Sequence, residues 1–128
     1  MLKELRIANL LRDKEWNPNR ALSLSFRGNE LAGETGEACN IIKKLERQTL
    51  GLVGSKSTKE QLAEELADVI ICVDLIAMEF NLNMEQALAR KFNKTSTDRG
   101  LSVFLEAPTC DDCSSFDFSC TGKCEERK

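Results

Sequence analysis

Apolar positions recur at helical spacing along most of the chain, and strand-type alternation is hard to find. Leu2, Leu5, Leu10 and Leu11 form a partial stripe that predicts a first helix over residues 2–15. Trp16-Asn17-Pro18-Asn19 should break it, because proline disfavours helical backbone in the residue before it. A second helix is expected from about Asn29 to Thr49, with Leu31, Ala38, Ile41, Ile42 and Leu45 on one face. Gly51, Gly54 and Ser55 mark the loop that follows. The third helix has a start signal in either Ser57/Glu60 or Thr58/Gln61, each spaced for a capping box. It should run to about Phe80, with Leu62, Leu66, Val69, Val73, Ile76 and Phe80 as its face. The run Val69 to Val73 is apolar on nearly all sides, which marks a central helix. A fourth helix is expected from Asn83, boxed by Gln86, to about Asn93, followed by a polar loop from Thr95 to Gly100.

Several carboxylates interrupt this pattern. On a wheel of about 100° per residue, Glu34 falls in the middle of the second helix's apolar stripe, and Glu30 and Glu37 fall on its edge. Glu65 flanks the apolar face of the third helix, with Asp68 one turn on. Residues three apart on a helix hold their Cβ atoms roughly 5–6 Å apart, so Glu34/Glu37 and Glu65/Asp68 are two neighbouring pairs. If the two helices pack antiparallel, four carboxylates converge. Acids at this spacing are common on solvated faces, but an unpaired carboxylate against an apolar core costs several kcal/mol. An all-oxygen cluster of this kind suits a hard divalent cation such as Mg²⁺, which keeps waters and bridges to substrate phosphates.

Composition narrows the chemistry. The 128 residues fit one domain, and so small a core often completes its burial by oligomerising. There is no histidine, which excludes Ser-His-Asp and Cys-His catalysis and any imidazole metal site, including the Glu-x-x-His centres of di-iron bundles. A net charge of −3 gives no broad basic footprint, so no nucleic-acid polymer is expected as a partner. No apolar run is long enough for a membrane span, and the first residues mix charges with leucines, unlike a secretory signal. A cytoplasmic protein is the expectation.

The stretches GNELAGETGEACNIIKKLE and EQLAEELADVIICVDLIA resemble the MazG-like family of all-α nucleotide pyrophosphohydrolases. Glu34, Glu37, Glu65 and Asp68 match its ExxE, spacer, ExxD pattern, with 27 residues between Glu37 and Glu65, towards the long end of the usual spacer. Gly36 and the EELAD context match as well, and the resemblance covers roughly residues 16–100. It implies a four-helix bundle built across a homodimer, or a homotetramer of paired dimers. It also implies that the four acids bind Mg²⁺, for which Mn²⁺ can substitute, and that (d)NTPs are split into (d)NMP and pyrophosphate, in many relatives to clean the nucleotide pool. Glu37, at the edge of the stripe where water can reach, and Glu34 are the candidate catalytic acids. Lys91, Asn93, Lys94 and Arg99 are similar to a segment that holds substrate phosphates, and Trp16 lies where relatives approach the base. For Lys91 and Lys94 the plainer reading is a solvated helix end, and for Trp16 it is core packing. Alternatives of different class are a dimeric dUTPase-like or phosphoribosyl-ATP pyrophosphohydrolase activity, or a non-enzymatic helical interaction module.

The helical domain is thus expected over residues 1–100, with an extension over 101–128 that departs from the family pattern. Cys39 and Cys72 read as small core residues. The other four of the six cysteines, Cys110, Cys113, Cys120 and Cys124, crowd the last 19 residues. Four thiolates can close a tetrahedral Zn²⁺ site, although the six-residue loop between the pairs is short; a disordered or partly oxidised tail is the alternative.

Overall fold

Residues 1–106 are described by the computed structural model. They form four helices and no strand: α1 (Leu2–Trp16), α2 (Leu24–Thr49), α3 (Lys59–Glu79) and α4 (Met84–Arg99). The expected all-α class holds, and α1 ends where the Asn-Pro turn was expected to end it. The four tail cysteines lie outside the described residues.

Two boundaries differ from the sequence reading. Helix α2 starts earlier than Asn29, because the Ser23 hydroxyl accepts a bond from the Phe26 N–H at 3.1 Å and supplies a cap. Helix α4 does not stop at Asn93 but runs to Arg99. The polar residues that suggested a loop spend their hydroxyls locally instead. Thr95 donates to the Lys91 carbonyl (3.1 Å), and buried Ser96 donates to the Val103 carbonyl (2.6 Å). Gly100 then ends the helix in the left-handed conformation, φ 65°, which glycine adopts without penalty. Helix α3 uses the second of its two candidate boxes. Thr58 caps the Gln61 N–H (3.2 Å), and Gln61 reaches back to the Thr58 N–H (3.0 Å). Ser57 is instead buried beneath the turn, its N–H bonded to Gln48 Oε1 at 2.7 Å.

Helices α2 and α3 form the principal packed pair, α1 lies against α3, and α4 touches α1. The apolar core of one chain is small: Ala38, Ile41, Cys72, Ala77 and Ala89 are buried. Ile42 and Leu66, expected on the core stripes, are exposed, as are Phe26, Ile70, Leu88 and Phe92. Cys39, expected in the core, is also exposed, whereas Cys72 is buried.

Ion pairs fill part of the space that apolar side chains leave. Asp74 (3 % exposed) accepts from Arg6 Nε (3.0 and 3.2 Å) and Nη2 (2.8 Å), and from Asn9 Nδ2 (2.9 Å). Arg6 also donates to the Leu82 carbonyl at 3.2 Å. Asp74 therefore joins α3 to α1, and Arg6 extends the junction to the turn before α4. A second junction centres on Arg27 of α2, which is bonded to Asp13 of α1 at 2.6 Å and lies 3.3 Å from Glu79 of α3.

Candidate carboxylate centre

Antiparallel packing of α2 on α3 brings together acids that lie far apart in sequence. Oxygens of Glu34, Glu37 and Glu65 all lie within 4.8 Å of one another. Glu34 and Glu65 are half-buried and Glu37 is exposed. Asp68 lies one turn from Glu65, and its charge acts on both Glu34 and Glu65. Local sequence makes this arrangement possible: each helix offers its acids three residues apart, so both members of a pair point to one side.

Electrostatics show how poorly the free acids tolerate one another. Partial desolvation is the main force pushing Glu34 above the ordinary carboxylate range, followed by the charges of Asp68, Glu37 and Glu30. Glu65 is raised by desolvation, then by the charge of Glu37 and a hydrogen bond to it, then by Glu34 and Asp68. The charges that raise either group come from other carboxylates. A proton shared between Glu65 and Glu37 is one way to relieve the repulsion, and a divalent cation is another. Three oxygens this close can swing onto one ion, and an oxygen-only donor set fits Mg²⁺ or Mn²⁺. The same acids reach Cys72, whose thiol is pushed up by burial and by Glu30, Glu34 and Asp68.

A pH dependence follows. Native Glu34 and Glu65 hold protons at pH values where the unfolded chain has lost them. Their contribution to stability is therefore present at low pH and is lost as pH rises from the ordinary carboxylate range through the raised values. Metal-free protein should melt at lower temperature across that rise, and Mg²⁺ should abolish the decline by favouring the ionised acids. The difference between wild type and Glu65→Gln isolates this effect from Glu4 and Glu60, whose lowered values act in the opposite sense. Melting curves with the same pH slope in both proteins, with and without Mg²⁺, would contradict it.

The other candidate residues are exposed or bonded locally. Trp16 is 79 % exposed at the end of α1. Lys91, Lys94 and Arg99 lie on exposed positions of α4, and Lys94 pairs with Asp98. The Asn93 amide is occupied by main chain: its Nδ2 donates to the Leu105 carbonyl (2.9 Å) and its Oδ1 accepts from the Leu105 N–H (2.7 Å). With Ser96, it ties residues 101–105 back along α4 as an extended strap. The sequence reading missed Arg6, Asn9 and Arg27, because a lone arginine or asparagine on a helix ordinarily reads as surface.

Acids from both members of an antiparallel helix pair thus converge on an all-helical fold, in a group that could hold a metal ion. The MazG nucleotide pyrophosphohydrolase domain matches residues 26–99, more than half of the chain, and the chain belongs to that family. The matched span holds all four acids, the α2–α3 hairpin and α4, but not α1. No curated protein and no solved structure matches the chain. Among the described residues, no helix is long and apolar enough to cross a membrane.

Proposed function

We propose that the protein is a Mg²⁺-dependent nucleoside triphosphate pyrophosphohydrolase that splits (d)NTPs into (d)NMP and pyrophosphate. The convergence of Glu34, Glu37 and Glu65 within 4.8 Å is the observation that carries this reading, with family membership behind it. Glu34, Glu37, Glu65 and Asp68 would hold the cation, which when bound neutralises triphosphate charge and stabilises charge developing in the transition state. Glu37, the exposed member of the cluster, takes the proton of the attacking water, and its closeness to Glu65 orients it for that task. Glu34 shares the work of orienting the water. Lys91, Lys94 and Arg99 are assigned to the phosphates and Trp16 to the base, whose face an indole can stack on. Asn93 acts on that segment through the strap it holds.

The working unit is a homodimer or homotetramer. One chain leaves Phe26, Ile42, Leu66, Ile70, Leu88 and Phe92 exposed, more apolar surface than a stable monomer of this size ordinarily shows. Sedimentation at micromolar concentration should report a dimer or tetramer. A fully active monomer would contradict it.

The decisive assay is a panel of (d)NTPs, dUTP and phosphoribosyl-ATP, with and without Mg²⁺, with products identified. Pyrophosphate and a monophosphate, formed only with Mg²⁺ or Mn²⁺, are expected. Release of orthophosphate instead, or no turnover of any member, would refute the proposal. Selectivity for dUTP or phosphoribosyl-ATP would move the protein to a narrower class of the same chemistry.

A further inference from the structure

We infer that Arg27 is a positioning residue that sets the register in which α2 and α3 present their acids; the inference rests on reading those acids as a cation site. The α2–α3 hairpin is pinned at two ends. At the loop end, Gln48 Oε1 accepts from the Ser57 N–H at 2.7 Å. At the open end, Arg27, 2 % exposed, faces Glu79 with its Nε 3.3 Å from Oε1, an ion pair off the line of a hydrogen bond. Its Nη2 is bonded to Asp13 at 2.6 Å, so the same fork fastens α2 to α1. Between these pins lie the acids. Seven residues, about 10 Å of helix, separate Arg27 from Glu34.

The cluster needs such a pin because it repels itself. Carboxylate oxygens of Glu34 and Glu37 on α2 and Glu65 on α3 lie within 4.8 Å of one another, so like charges face each other across the hairpin at this level. The fully buried apolar side chains of the two helices are few and mostly small, Ala38, Ile41, Cys72 and Ala77, and small side chains resist sliding poorly. The guanidinium is hydrogen-bonded to a carboxylate of α1 and ion-paired with one of α3, which fixes the distance of α2 from both helices. Lysine carries the same charge but cannot fork.

Two roles for Arg27 make opposite forecasts. If it acts only as a charge, its removal leaves the acidic site more negative and divalent cations bind as well or better. If it sets register, its removal lets the acids drift and cations bind more weakly. Outer groups that orient metal ligands are typically worth 10–100-fold in metal affinity.

The test is Mn²⁺ binding to the full-length chain without nucleotide, followed by electron paramagnetic resonance. It is run at a temperature where circular dichroism reports folded protein. Arg27→Gln should weaken Mn²⁺ about tenfold, and Arg27→Lys should not restore it. The metal concentration that half-activates hydrolysis should rise in parallel, with a smaller change in kcat at saturating metal. Glu79→Gln opens the α3 side of the same clamp and should weaken Mn²⁺ in the same direction. It carries the test if Arg27→Gln fails to fold. Glu79 lies 14 residues from Glu65, about 21 Å of helix and beyond the screening length, so its charge alone cannot act on the site. Unchanged or tighter binding in the folded variants, or full rescue by lysine, would overturn the inference. If wild type binds no Mn²⁺, or Glu65→Gln binds it as well as wild type, the cation reading itself fails and the inference with it.

Discussion

Glu65→Gln should lose Mg²⁺-dependent hydrolysis, by about 100-fold or more in kcat/KM, while remaining folded. Metal-assisted charge stabilisation is worth several kcal/mol, and 1.36 kcal/mol is tenfold in rate. The amide keeps the size of the side chain but removes the charge that holds the cation. It also removes a carboxylate whose charge is disfavoured by desolvation and by the charges of Glu37, Glu34 and Asp68. The metal-free variant should therefore be at least as stable as wild type near neutral pH, so lost activity cannot be ascribed to unfolding. Glu34→Gln should behave alike. Steady-state rates over a Mg²⁺ titration, beside thermal melts, give both readings in one series. Full Mg²⁺-dependent activity in either variant would falsify the assignment of the centre.

Asp74→Ala should produce the largest loss of stability, about 3–5 kcal/mol, without touching the site. Removing one partner of a buried pair strands the other, and Arg6 is 7 % exposed with its fork aimed at the missing carboxylate. Asn9, 1 % exposed, would lose its acceptor as well. Small domains are stable by about 5–15 kcal/mol in total, so the variant should be close to unfolding at 37 °C. The double variant Arg6→Met/Asp74→Leu should recover much of the loss, since apolar replacement of a whole buried pair is often neutral or stabilising. Chemical denaturation of the three proteins tests this. A single variant that loses under 1 kcal/mol would mean that water reaches Arg6 and that the junction is not sealed.

The two experiments separate different kinds of acid. Glu65 is placed where desolvation and neighbouring acids make its charge costly, and Asp74 where its charge is answered within the chain. Both interrupt apolar stretches of α3, and they are only nine residues apart. The wheel sets Glu65 beside the apolar face and Asp74 opposite it. It could not say which was paired, because the partners of Asp74 come from α1, 65 and 68 residues away.

The sequence by itself determined the helical class, the Asn-Pro break after α1, the cap region of α3 and the spacing of the acids Glu34, Glu37 and Glu65 that the fold brings together. These features rest on local physics: side-chain periodicity, proline geometry and capping hydroxyls act within a few residues. The acids were legible because a carboxylate in an apolar stripe is expensive enough to need a reason. Tertiary structure alone decided the rest. Ser96 and Asn93 keep α4 helical past its expected end because the strap at 101–105 returns to accept and donate their hydrogen bonds. Arg6, Asn9 and Arg27 are buried because carboxylates from distant helices meet them. Ile42, Leu66 and Cys39 face outward because one chain has too few helices to cover every apolar side of α2 and α3. Periodicity states that a face is apolar. What covers it depends on contacts between segments that no local pattern encodes.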